Sequence, residues 1–120
     1  MSTPASMAPV VQHAESYLSA TLVGIGNPDT RYLRAFRTAS GRELALARTT
    51  RQLYLWSAPV WERASTELRV LRKKRYAPDE ARIHTLQANA PSLYLGEAAD
   101  YWHFPTLGAL KDFIAWYRTL

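Results

Sequence analysis

Apolar residues recur at three- and four-residue spacing in two segments, one near each end of the chain. The first segment begins at Pro9 and the second near Pro105, and proline is favoured in the first turn of a helix because its missing N–H group would have no partner there. The first stripe comprises Val10, Val11, Ala14, Tyr17, Leu18, Thr21 and Leu22, and the second Leu107, Leu110, Phe113, Ile114 and Tyr117. Both patterns predict amphipathic helices, and we expect the C-terminal helix to dock on a sheet.

Residues 31–56 have the residue types and the alternation of β-strands. Ser40-Gly41 is a good two-residue hairpin connection and Thr50-Arg51 a weaker one, so the segment predicts an antiparallel three-stranded meander. If both turns have two residues, the register assigns two faces to the sheet. One face would carry Leu33, Ala35, Leu44, Leu46, Leu53 and Leu55, with Arg37 and Arg48 towards the ends, and the other Tyr32, Arg34, Phe36, Ala45, Ala47, Tyr54 and Trp56. We expect the leucine face to be core, whereas the aromatic face is either a second core or a binding surface.

Residues 57–77 are predicted to form a helix that is capped by Ser57 and ends before Pro78. Its apolar stripe would consist of Trp61, Ala64, Leu68 and Leu71. The pattern weakens over residues 79–104, where Asp79 and Glu80 favour a short helical turn and residues 82–86 and 91–97 are candidate strands.

These elements predict an α+β fold, in which an antiparallel sheet of three or more strands is accompanied by an N-terminal helix, a middle basic helix and a C-terminal helix. The length of 120 residues suits one domain. We expect it to span residues 9–120 after a flexible tail over residues 1–8. The absence of cysteine excludes disulfides and thiolate metal sites. No apolar run approaches the roughly 20 residues that cross a bilayer, and we expect a cytoplasmic protein.

The charge balance points to an anionic partner. Lysine and arginine total 15 against 10 acidic residues, which gives a net charge of +5. The densest cluster lies at the end of the predicted middle helix and consists of Arg69, Arg72, Lys73, Lys74 and Arg75. One or two cations are explained by the negative end of a helix dipole, but five predict contacts with phosphates.

The main functional hypothesis is therefore a nucleic-acid-binding module without enzymatic activity, with DNA and RNA both open as ligands. Single-strand binders combine basic residues with exposed rings on a sheet. Arg34 and the aromatic residues Tyr32, Phe36, Tyr54 and Trp56 are accordingly expected to form a secondary binding surface.

The alternative hypothesis is a protein-interaction or assembly protein, including a homodimer, because aromatic residues are enriched at interface hot spots. Its surface would comprise Trp61, Trp102, Trp116 and Tyr117. Enzymatic activity is left open but not favoured, and no cofactor or metal is expected. Glu97, Asp100 and His103 would share one face if their segment were helical, although this spacing is more often that of an ordinary helix surface.

The run LVGIGNPDTRY, residues 22–32, resembles a strand-and-loop segment of two enzyme families. A similar Gly-x-Gly-Asn-Pro run in peptidyl-tRNA hydrolase supplies a catalytic-site asparagine, and hydrogenase maturation endopeptidases begin with a related Gly-x-Gly-Asn. In either family the equivalent residue would be Asn27. The hydrolase requires a histidine about ten residues further on, whereas none lies between His13 and His84. We therefore predict that Gly24 ends the first helix and that Asn27-Pro28-Asp29 turns the chain into the sheet.

Overall fold

The structure, a computed structural model, describes residues 7–60, 71–94 and 96–120, and only the backbone of residues 71–73. Its helices are α1 (Pro9–Thr21), α2 (Leu86–Asn89) and α3 (Leu107–Tyr117), with a 3-10 turn at Pro91–Leu93. Its strands are β1 (Val23–Ile25), β2 (Leu33–Arg37), β3 (Glu43–Ala47), β4 (Leu53–Ser57), β5 (Leu71–Tyr76) and β6 (Ala99–Phe104). The fold is α+β, as predicted.

The six strands form one sheet in the order β1-β2-β3-β4-β6-β5. Every neighbouring pair is antiparallel. β6 enters between β4 and β5, so the strand that follows β4 in the described chain becomes the outermost strand of the sheet.

Helices α1 and α3 pack on one face of the sheet and enclose the main core. Trp102 stacks near Phe104 and Phe113 there, with ring centroids 6.4 and 4.9 Å from its own. The buried stripe residues are Val11, Ala14 and Leu18 of α1 and Leu110, Phe113, Ile114 and Tyr117 of α3. Both predicted amphipathic helices are thereby confirmed.

A smaller core lies on the opposite face, beneath α2 and the 3-10 turn. It buries Leu33, Ala35, Ala45, Trp56, Leu86, Ala90, Leu93 and Ala99. Part of the face that was expected to carry the aromatic residues is therefore a second core.

The first hairpin shows that the predicted register of β2 was wrong by one residue. Thr38 and Arg42 close the loop through the Thr38 N–H and the Arg42 carbonyl, and Gly41 has a φ of 97°. The connection thus has three residues, a type I turn followed by a left-handed glycine, rather than two. A one-residue shift exchanges the faces of a strand. Phe36 therefore joins the main core and Leu33 the smaller one.

The predicted middle helix is wrong where the charge is concentrated, because Leu71–Tyr76 is strand β5. Residues 61–70, including Trp61 and Arg69, lie outside the described part of the chain. The two candidate strands over residues 82–86 and 91–97 are also wrong. Residues 82–85 are irregular or turn, Leu86 begins α2, and Pro91–Leu93 is the 3-10 turn, so the next strand is β6.

The interpretation of Gly24 as the end of the first helix is corrected as well. α1 ends at Thr21, and Gly24 is the central residue of β1, paired with Phe36. At the N-terminal end, Met7 is buried in the main core, and its carbonyl accepts a hydrogen bond of 2.7 Å from the Gln12 side chain. Met7, which was expected to belong to a flexible tail, therefore packs in the main core. No helix in the described ranges is long and apolar enough to cross a membrane.

Candidate nucleic-acid interface

The basic run occupies the outermost strand of the sheet. Arg72, Lys73, Lys74 and Arg75 are consecutive residues of β5, and the register with β6 shifts between Arg72 and Lys74. Side chains alternate between the two faces of a strand. Lys74 lies opposite Tyr101, and Arg75 lies opposite Asp100, which belongs to the other face. Lys74 and Arg75 therefore lie on opposite sides of the sheet edge.

Arg75 is tied to the fold. Its Nε and Nη2 donate to the two oxygens of Asp100 at 2.7 and 3.0 Å, and Asp100 is completely buried. The Asp100 carboxylate also accepts the backbone N–H of Val60 at 3.0 Å. This bidentate pair joins β5 to β6 and holds both to Val60 in the segment after β4, so the Arg75 charge is already balanced by a carboxylate.

Lys74 is held more loosely. Its ammonium forms an ion pair with Glu80, in which the side chains of Lys74 and Glu80 are 47% and 36% exposed. The hydrogen bond between them raises the pKa of Lys74 and lowers that of Glu80. The ammonium also lies 4.5 Å from the centre of the Tyr76 ring. An exposed ion pair contributes little to stability because water and salt screen it, so another anion can replace Glu80.

Arg82 approaches the same ring but serves the loops that follow β5. Its guanidinium carbon lies 5.3 Å from the Tyr76 ring centre. Its Nη1 donates to the carbonyls of Leu93 and Glu97 at 2.8 and 2.9 Å, and its Nη2 donates to that of Ala77. Desolvation by burial lowers the pKa of Arg82.

A continuous row of rings crosses β4, β6 and β5 beside the basic run. The order is His103, Tyr54, Tyr101, Trp56, Tyr76, and successive ring centroids are 4.9, 5.5, 4.4 and 4.8 Å apart. Tyr54 and Tyr101 are nearly parallel, with 16° between their planes. Burial raises the pKa of Tyr101 to about 12. The faces of the inner rings contact neighbouring rings of the row, so mainly the ring edges can contact a ligand.

Several of the aromatic residues predicted for the secondary surface lie elsewhere. Phe36 is completely buried in the main core and Trp56 is 5% exposed, so neither can stack on a base. Tyr32 is 46% exposed, but it precedes β2, on the opposite half of the sheet from β5. Of the predicted rings, only Tyr54 is both partly accessible and close to β5 among the described residues.

Arg34 lies in β2, on the opposite half of the sheet from β5, and its guanidinium has partners within the fold. Its Nη1 donates to the carbonyls of Ile25 and Ala35 at 2.9 and 2.8 Å, and its guanidinium lies 5.0 Å from the Phe36 ring centre. Desolvation by burial lowers its pKa. A Cβ on Gly24 would lie 2.3 Å from Arg34 Nη2. The glycine therefore leaves room for the guanidinium to lie across β1.

The second glycine of the GIGN run and Asn27 also have structural roles. Gly26 has a φ of 69°, and a Cβ there would lie 2.5 Å from the Asn89 side-chain oxygen. That oxygen accepts the Asn27 N–H at 2.7 Å, and the Asn27 side chain accepts the Asp29 N–H at 2.9 Å. Asn27 is thus a turn residue clamped to α2, as predicted for the turn.

Of the four residues expected for a protein-interaction surface, two are internal and Trp61 lies outside the described residues. Trp102 lies in β6 and is completely buried, with its Nε1 donating to Ser57 Oγ at 2.8 Å. Tyr117 is completely buried too, and its hydroxyl donates to the Glu43 carbonyl and accepts from the Ala58 N–H. Trp116 is half-buried against the main core.

The acidic cluster near β6 does not assemble. Asp100 and His103 lie in a strand, where residues three apart point to opposite faces. Asp100 binds Arg75, whereas His103 bonds to Gln52 at 2.7 Å. No group of three potential metal ligands occurs in the ranges that the structure describes.

The chain has no match among protein-family models, curated proteins or solved structures.

Sequence reasoning missed the members of the ring row that come from β6. Tyr101 and His103 alternate with buried Trp102 and Phe104, which is the period of a half-buried strand. That alternation in ADYWHF was a usable signal. The pairing of β4 with β6, which brings the rings together, joins residues about 50 positions apart in the chain. The local periodicity of the sequence carries no information about such a distant pairing.

Proposed function

We propose that this domain binds nucleic acid through the sugar–phosphate backbone, with β5 as the principal contact. The observation that supports this proposal is the run of four consecutive basic residues on the outermost strand of the sheet. A strand rises roughly 3.3 Å per residue, so four residues extend over roughly 10 Å. Each phosphate of a nucleic-acid backbone carries one negative charge, and a run of this length can lie along more than one of them.

Within the run, we distinguish proposed contact residues from structural ones by the partners of their side chains. Arg75 already has a buried carboxylate partner, whereas Lys74 is exposed and pairs with an exposed glutamate that phosphate can replace. Arg72 and Lys73 adjoin Lys74 at the register shift. We therefore assign the phosphate contacts to Arg72, Lys73 and Lys74, and we assign Arg75 to the stability of the strand.

The rival explanation is protection of the sheet edge, because charged residues on an outer strand also prevent pairing with other chains. The two explanations predict different binding. Edge protection requires no affinity for polyanions, whereas phosphate contacts release counterions and make the affinity fall steeply with salt.

Fluorescence anisotropy with labelled single- and double-stranded oligonucleotides of DNA and RNA tests the proposal. We expect micromolar binding at low salt that is strongly weakened by the R72A/K73A/K74A variant. The matched control, R31A/R37A/R42A, removes the same charge from three exposed arginines on the far half of the sheet. If both variants weaken binding equally, the affinity depends on net charge and not on β5. If the natural sequence does not bind at low salt, the proposal is refuted.

A second candidate function, self-association, is favoured by the opposite edge of the sheet. β1 is the other outermost strand, and Val23 within it is 56% exposed. An edge strand with an exposed apolar residue is a template for pairing with a second copy. Light scattering coupled to size exclusion tests this, with a dimer expected for the natural sequence and a monomer for V23K. A monomer at every concentration would exclude it.

A further inference from the structure

A groove crosses the end of the molecule where α1 begins, and neither proposed function uses it. Two adjoining cavities of about 330 and 630 Å³ share Val10 and Arg51 as lining residues. We call them together the hairpin groove, because the β3–β4 hairpin forms one wall. The start of α1 and the junction between β6 and α3 form the others. Cavities of roughly 300 to 1,000 Å³ are the size of small-molecule sites.

The floor of the hairpin groove is apolar. Val10, Leu53 and Phe104 line it, and the last two belong to the main core. Leu53 and Phe104 are only 2% and 1% exposed and fix the base of the groove. Half-buried Val10 and exposed Pro105 supply most of the surface against which an apolar body can be desolvated.

The rim of the groove carries positive charge and hydrogen-bond donors. Arg51 is exposed and makes no ion pair with the described residues. Gln52 uses its oxygen for the bond to the ring of His103, which leaves its amide nitrogen to donate. No carboxylate is found among the described residues that line either cavity. The chemistry of the rim thus complements an anion.

The hairpin that carries these groups is fixed in place. Thr50 Oγ1 donates to the Gln52 carbonyl at 2.8 Å and closes the turn, while the bond from Gln52 to His103 ties the turn to β6. A donor set on a fixed turn loses less conformational entropy when a ligand binds.

We propose that the hairpin groove binds a small carboxylate with an apolar body, such as a medium-chain carboxylic acid. The apolar chain lies on the floor formed by Val10, Leu53 and Phe104. The carboxylate accepts hydrogen bonds from the guanidinium of Arg51 and the amide nitrogen of Gln52, a charge-assisted arrangement that is stronger than a neutral one.

The test is an NMR titration of the ¹⁵N-labelled protein with octanoate, octanol and octylamine, which share one chain length and differ in charge. Octanoate is expected to give saturable shifts centred on the Arg51 Nε–H and the Gln52 side-chain amide. R51Q should weaken octanoate binding at least about tenfold, as expected for loss of one charged hydrogen bond. The matched variant R31Q, which changes another exposed arginine, should leave the affinity within about twofold.

Three outcomes would overturn the proposal. The protein could bind octanol as tightly as octanoate, R51Q could bind octanoate as tightly as the natural sequence, or the largest chemical-shift changes could lie outside the groove. A parallel titration with AMP separates a carboxylate site from a nucleotide site, and tighter binding of AMP in this groove would also overturn it. The β5 variant R72A/K73A/K74A should bind octanoate normally, so this proposal and the nucleic-acid proposal can fail independently.

Discussion

The buried ion pair between Glu15 and Arg48 yields the most quantitative prediction. Arg48 is completely buried and Glu15 is 6% exposed. Arg48 Nε and Nη2 donate to the two Glu15 oxygens, each at 2.7 Å, and its Nη1 donates to the Thr30 carbonyl at 2.7 Å. The pair joins α1 to the chain at the end of β3, across the main core. Truncation of Glu15 leaves an arginine charge without its carboxylate in a site that excludes water.

We expect E15A to lower the free energy of unfolding by about 3 to 5 kcal/mol, because removal of one partner strands a buried charge. R48M should have a cost of the same order, since it leaves the carboxylate unpaired. The double variant E15L/R48M replaces both charges with apolar groups of similar volume. It should be much less destabilised than the sum of the single changes. Typical domains have only about 5 to 15 kcal/mol in total, so the single variants are measurably weakened.

Urea denaturation followed by circular dichroism at 222 nm measures these differences. The control is E97A, which removes an exposed glutamate and should change stability by less than about 0.5 kcal/mol. A cost below about 1 kcal/mol for both single variants would refute the reasoning. A double variant as unstable as the sum of the single ones would do so too, because the residues would then act independently.

Three further predictions use the same assay. G26A should be the most costly glycine substitution, because its Cβ would meet Asn89 and its φ is positive, whereas G41A has free space and should cost only the backbone strain of about 1 kcal/mol. D100A should lower stability by about 2 to 4 kcal/mol, since it removes a buried carboxylate that binds Arg75. Burial raises the pKa of Tyr117 to about 12. The unfolded chain therefore loses this proton first, and the free energy of unfolding falls as pH rises from about 10 to 12. Y117F should reduce that fall, and the same pH dependence in Y117F would contradict the assignment.

Local patterns predicted the elements that depend on nearby residues. The sequence indicates α1, α3 and the β2–β3–β4 meander because the apolar residues of each element recur at a regular spacing within a short segment. That spacing is three or four residues in a helix and two in a strand. The register of β2 was missed because Gly41 adopts a left-handed conformation, which changes the loop from two residues to three. The spacing of apolar residues does not show whether the hairpin loop has two or three residues.

The interface was harder to predict than the elements around it. A basic run such as residues 72–75 suits a helix end or an edge strand, and its pairing with β6 is decided by residues 25 or more positions away. The same applies to Arg48, whose acidic partner is 33 residues distant in the chain. Charge composition therefore predicted an anionic partner, but the three-dimensional pairing distinguishes Arg75, whose partner Asp100 is buried, from Lys74, whose partner Glu80 lies at the surface.

The dependence of affinity on salt tests the central proposal most directly. For the natural sequence, log Kd against log salt concentration should rise with a slope set by the number of phosphates contacted, about 0.7 for each contact to a single strand and about 0.9 for each contact to B-DNA. R72A/K73A/K74A should reduce that slope by about 2 to 3, whereas R31A/R37A/R42A should leave it nearly unchanged. Equal slopes for the natural sequence and the β5 variant would contradict the assignment of this strand as the phosphate-binding surface.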